Sequence, residues 1–222
     1  MMQQLYVARS EVALGGQAPV QVPLSAGPET VVAAALALLG KPAGRGWRRP
    51  KLQVWLSAGW CRPLLVPQVA GLQSWAEAEA LALAQAQTQA AVGLEGGATV
   101  WLNGWPGDGP QLACVASLAL LNALQKQTQA LGVQLAAVRP WWTESQTTQG
   151  TEQGAEPTLL LAECPDGVTL LKGDNTQVSW ANTWIPAPKG AARDAMLQRL
   201  SLSHSEVPVQ SAQWNPARAG SL

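Results

Sequence analysis

The sequence predicts an α/β protein built on mixed sheets. Short runs alternate apolar and polar residues with period two. Longer runs place apolar residues three and four apart behind helix-start signals, and turns rich in Gly and Pro separate the two kinds at close intervals.

Two strands open the chain, over 5–8 and 11–14, with a third over 20–23 after Gly15 and Gly16. Pro28 stands where a first helical turn tolerates a missing N–H, and Gly40 closes the helix expected over 29–39. Residues 41–50 are broken by Gly and Pro; they hold Arg45, Arg48 and Arg49, and with Lys51 these make the only basic cluster. Leu52, Val54 and Leu56 then alternate with Gln53, Trp55 and Ser57. A Ser57-Ala58-Gly59 turn leads into a strand over 60–66, which together read as a hairpin with one buried face.

Ser74 and Glu77 have capping-box spacing and start a helix rich in Ala, Leu and Gln that runs to about residue 92. Strands over 99–102 and 112–117 bracket a turn-rich stretch. The helix over 118–131 places Leu118, Leu121, Leu124 and Thr128 on one face and stops at Gly132. A strand over 133–138 runs into Pro140, Trp141 and Trp142. Residues 144–157 lack apolar periodicity and read as a flexible loop. Strands over 158–163, 168–172 and 178–185 follow, joined by Pro165-Asp166-Gly167 and Gly173-Asp174-Asn175 turns. A helix over 191–200 and an edge strand near 207–214 complete the chain.

A three-strand meander followed by a helix and a lone strand thus occurs twice. That layout suggests the two ribonuclease-H-like halves of the actin and sugar-kinase fold. The division expected is a first lobe over 1–143 with an inserted hairpin subdomain, a flexible loop over 144–157, and a second, smaller lobe over 158–222. With 222 residues the chain is short for two full lobes, so the second half is expected to be trimmed.

Composition narrows the function. Hydrophobic residues make up 47%, enough for a core without a metal or disulfide staple. Charged residues are only 13%, against a usual share of roughly 25%. Lys and Arg total 14 and Asp and Glu total 14, so the net charge is zero and no basic excess marks a nucleic-acid surface. A neutral chain instead favours association with a partner or with a second copy of itself, as in a homodimer. Cys61, Cys114 and Cys164 lie far apart and the one histidine is His204, so the ligand spacing of a structural zinc site is absent. Buried reduced thiols are expected, and with them a reducing compartment. The N-terminal residues lack the basic and apolar regions of a signal peptide, and the longest apolar stretch, 31–39, falls short of a membrane span.

The run from Leu52 through Trp55, Leu56, Ser57, Trp60, Arg62, Leu64 and Leu65 to Pro67 resembles a hairpin of a bacterial family. These are degenerate actin-like cytoplasmic proteins related to PilM and to the cytoplasmic domain of GspL. The helix start from Ala76 to Ala82 is similar to that family's acidic helix. So is the ordered block formed by 111–116, 120–124 and Val138-Arg139-Pro140. The resemblance covers about residues 50–142, and the remainder only by element order. It implies a cytoplasmic platform protein of a type IV pilus or type II secretion-like machine, peripheral to the inner membrane. Such a protein binds the cytoplasmic tail of an inner-membrane partner.

In that fold each half would carry an Asp-x-Gly turn for phosphates and Mg²⁺. The first turn here is Arg9-Ser10-Glu11, without Asp or Gly. At the second, Pro165 has no N–H to donate, and Asp166-Gly167 reads as a β-turn. No catalytic residue, cofactor or metal is therefore expected. The alternative is an ATP-binding actin-like protein with atypical phosphate loops, acting as a nucleotide-dependent switch. His204 lies at a helix end, where its charge suits the helix dipole without catalysis. Candidate contacts for a partner or membrane are Arg45, Arg48, Arg49 and Lys51, together with Trp141 and Trp142, which serve equally well as core.

Overall fold

The computed structural model describes residues 2–40, 50–89, 94, 96–143, 158–173, 178–203 and 207–216. The first lobe is organised by a five-stranded sheet. Strands β1 (Met2–Val7), β2 (Glu11–Leu14) and β3 (Val20–Gln21) form an antiparallel meander. Helix α1 (Pro28–Ala37) then crosses over to β4 (Lys51–Leu56), which lies parallel to β1 with Leu5 opposite Val54. Strand β8 (Gln134–Pro140) lies parallel to β4, giving the order β3-β2-β1-β4-β8.

Between β4 and β8 the chain inserts β5 (Cys61–Val66), α2 (Trp75–Gln89), β6 (Ala98–Leu102), β7 (Gln111–Ser117) and α3 (Leu118–Ala130). The strands pair antiparallel in the order β5-β7-β6. Helix α2 covers one face through Ala78, Ala82 and Ala86, a four-residue spacing that lets the helix sit close. Ala82 and Ala86 share a small core with Leu64, Val66, Val100 and Val115. At the helix start the Glu77 amide donates to Ser74 Oγ at 3.3 Å, as expected, but the Glu77 carboxylate accepts from the Gln73 amide.

Residues 52–66 do not form a hairpin. The β4 strand is a central one, between β1 and β8, and is buried on both faces, Gln53 and Trp55 included. The amides of Trp60 and Cys61 both donate to the Ser57 carbonyl at 3.0 Å, and this tight turn hands the chain to the other sheet. Helix α3 follows β7 directly, with Ser117 Oγ accepting from the Leu120 amide at 3.3 Å. Its buried face is Leu120, Ala123, Leu124 and Thr128; Leu118 is exposed, so the stripe is rotated from the expected one. Gly132, at φ +70°, ends the helix where a side chain would be strained.

The second lobe consists of β9 (Thr158–Cys164), β10 (Gly167–Gly173), β11 (Val178–Trp184), α4 (Ala191–Ser203) and β12 (Val209–Gln213). Its order is β11-β10-β9-β12, with β12 parallel to β9 and at the edge. That repeats the meander-plus-parallel-strand pattern of the first sheet without a counterpart of β8 among the described residues. The period-two alternation of β9 divides its burial. Leu159 and Leu161 meet Met196 and Leu200 of α4, while Leu160, Ala162 and Cys164 join the core of the first lobe.

The expected loop over 144–157, the Asp174-Asn175 turn and His204 lie outside the described residues.

Candidate functional site

The β1–β2 turn and the turn after β4 both end at the junction of the two lobes. There they meet the β9–β10 turn. Asp166, which the sequence offered only as a turn residue, is buried at 8% exposure between them. Its Oδ2 accepts from the Arg9 amide at 2.8 Å and from Ser57 Oγ at 2.5 Å, and its Oδ1 accepts from the Gly59 amide at 3.3 Å. Cys164 Sγ donates to the same Oδ1 at 3.2 Å and receives the Ala58 amide at 3.3 Å. A buried carboxylate is costly unless its lone pairs are filled, and here donors from three turns fill them.

Two glycines make this approach feasible. A Cβ at Gly59 would overlap Asp166 Oδ2 and stand 2.9 Å from Arg9 Cγ. A Cβ at Gly167 would stand 2.7 Å from Ala58 Cβ and 2.9 Å from the Trp184 carbonyl oxygen. The backbone of each lobe is thus packed at a glycine against a side chain of the other.

Charged groups and thiols crowd around it. The Arg9 guanidinium lies over the Trp60 ring, 4.9 Å from its centroid. Burial, and then the nearby charge of Arg9, lower the pKa of Arg62 from the usual arginine value. Burial pushes the Cys164 thiol well up, and the Asp166 charge adds to it. Burial also raises Cys61, with neighbouring Cys114 adding further. Cys61, Cys114 and Cys164 are all free and buried; in Cys61 and Cys164 the upward shift keeps sulfur in its unreactive protonated form. Among the described residues no cluster of His, Cys, Asp or Glu has metal-binding geometry.

The residues singled out from sequence do not converge here. Arg45, Arg48 and Arg49 lie outside the described residues. Lys51 is exposed at the start of β4, about 20 Å along the strand from Ser57. Trp141 and Trp142, for which the sequence left contact and core readings open, are 6% and 1% exposed and lie in the core. Trp141 packs edge-on to Trp214 at 5.2 Å and to Tyr6 at 6.3 Å, in an aromatic group shared by both lobes. In a chain with no Phe, Trp takes that role.

No family model and no curated protein matches the chain. Solved structures do. A Bacteroides thetaiotaomicron protein with an actin-like ATPase fold and unknown function is similar over 96% of this chain and 80% of its own, at TM-score 0.57 and 10% identity. The fold is actin-like. The cytoplasmic domain of EpsL, an inner membrane component of the type II secretion system of Vibrio cholerae, matches 96% of this chain and 82% of its own, with TM-score 0.52 and 14% identity. A chain of the PilM–PilN type IV pilus biogenesis complex matches 92% of this chain and 66% of its own, with TM-score 0.53 and 13% identity. The relatives expected from residues 50–142 are therefore among the structures that share this actin-like fold. In that fold the turns expected to handle phosphates are those that carry Arg9 and Asp166, and here they bond to each other.

Proposed function

We propose that this chain is a non-catalytic adaptor of a type IV pilus or type II secretion-like assembly platform. It works in the cytoplasm at the inner membrane and binds the cytoplasmic tail of a membrane partner. The observation that carries the non-catalytic part is the Asp166 carboxylate on the Arg9 amide. A negative group at that point repels a phosphate and takes up the amide that a phosphate would need. The platform part is supported by the likeness to the EpsL cytoplasmic domain and to the PilM–PilN complex. No helix among the described residues is long and apolar enough to cross a membrane, which accords with attachment through a partner.

Two measurements test the reading. In a Mg–ATP titration the thermal midpoint and Trp fluorescence are expected to stay constant up to millimolar nucleotide. A saturable response would replace the adaptor with a nucleotide-responsive switch. In a pull-down against synthetic cytoplasmic tails of pilus and secretion platform proteins, one tail is expected to be retained. Failure of every tail would overturn the platform assignment.

A further inference from the structure

The donors around Asp166 are unevenly distributed. The Arg9 amide, the Gly59 amide and the Ser57 hydroxyl all belong to the first lobe and point at two oxygens of one group. The guanidinium of Arg9 lies over Trp60, and Arg62 is close enough to feel the Arg9 charge. Amides at strand ends and a hydroxyl, with positive charge nearby, are the donor chemistry that holds an oxyanion. The anion itself arrives from the second lobe, with 157 residues between Arg9 and Asp166.

We propose that the first lobe carries an oxyanion seat which Asp166 occupies as an internal ligand, so that the β9–β10 turn latches the two lobes together. Because it is part of the chain, the carboxylate is present at an effective concentration far above that of a free ion. The unaltered protein is therefore indifferent to phosphate. Without the carboxylate the same donors are left buried, and a free phosphate-type oxyanion takes its place. The seat shares its residues with the adaptor reading but needs no platform partner. Retention of a tail in the pull-down and the behaviour of this seat can therefore fail separately.

The test compares the full chain with D166A and with S57A/D166A in sodium phosphate and in sodium chloride at equal ionic strength. D166A is expected to melt lower in chloride. Phosphate should restore its midpoint saturably by at least about 2–4 °C, the shift that about 1 kcal/mol produces in a chain of this size. The unaltered chain should not respond, and S57A/D166A should lose most of the recovery. If D166A does not fold in chloride, phosphate is expected to fold it. A D166A chain that behaves identically in the two salts, folded or unfolded, overturns the seat. So does an equal phosphate response in the unaltered chain.

Discussion

The first sheet has five strands and is covered by α1 and α3, which pack against each other; the second has four strands and one described helix. Both begin with the same meander and parallel fourth strand, yet they bury themselves differently. In the first lobe Leu5, Val54 and Leu56 are enclosed together with residues of α1 and α3. In the second, α4 shields one face of β9 and β10, and among the described residues the other face is closed by the first lobe. The smaller half of this fold therefore borrows its core, and the Asp166 contact sits at the rim of the borrowed surface.

The largest effect expected from that difference is on cooperativity. Leu56→Ala and Leu170→Ala each remove a fully buried side chain and should cost about 3–4 kcal/mol. Because the second sheet depends on the first for half its cover, both variants should still unfold in one transition, with circular dichroism and Trp fluorescence coincident. Two separate transitions for Leu170→Ala would show instead that the second lobe stands alone.

A somewhat smaller effect probes the contact itself. Gly167→Ala places a methyl group against Ala58 and the Trp184 carbonyl, neither of which can swing away. A cost of about 2–3 kcal/mol is expected, read from the urea midpoint. Gly27→Ala is the control, since a Cβ there meets nothing within 4 Å. It replaces a glycine N-cap with no side-chain bond and should cost well under about 1 kcal/mol. Equal midpoints for the two variants would mean that the lobes are not held against each other at Gly167.

These contrasts also show which parts of the molecule were legible in its sequence. The opening meander, α1 behind Pro28, the β6–β7 pair and the β9–β10–β11 meander were readable, because each depends on periodicity and turn residues within about ten positions. The Leu52–Leu56 run was readable as a strand but not as a central one: Gln53 and Trp55 look outward by alternation alone, yet both are buried in a strand that pairs with β1 on one side and β8 on the other. The Ser57–Gly59 turn looks like a hairpin because nothing local shows that β5 will pair with β7, about fifty residues on. Trp141 and Trp142 were ambiguous for a related reason, since the Trp214 that packs on Trp141 lies near the other end of the chain. Asp166 was hidden in a plausible turn. The one local hint was the unsuitability of Pro165 as a phosphate donor, which leaves the neighbouring carboxylate to be explained. Its donors from the first lobe are supplied from more than a hundred positions away, a distance over which turn chemistry carries no information.

The smallest expected effect concerns the crossover to β8, which has no counterpart in the second lobe among the described residues. Helix α3 leads from β7 to β8, and its first turn is tied by Ser117, buried between strand and helix. Helix α2 has the same kind of bond from Ser74, on an exposed end. Both hydroxyls accept at 3.3 Å, so geometry alone predicts equal losses on truncation to Ala. Burial predicts otherwise. At Ser74 water can replace the lost acceptor, and the cost should be about 0.5 kcal/mol, whereas at Ser117 the Leu120 amide would be left buried and the cost should exceed about 1 kcal/mol. Urea midpoints of S74A and S117A, with unchanged slopes, measure the two directly. A larger loss at Ser117 would locate the added stability of the first lobe in the crossover to β8, while equal losses would return it to the extra strand alone.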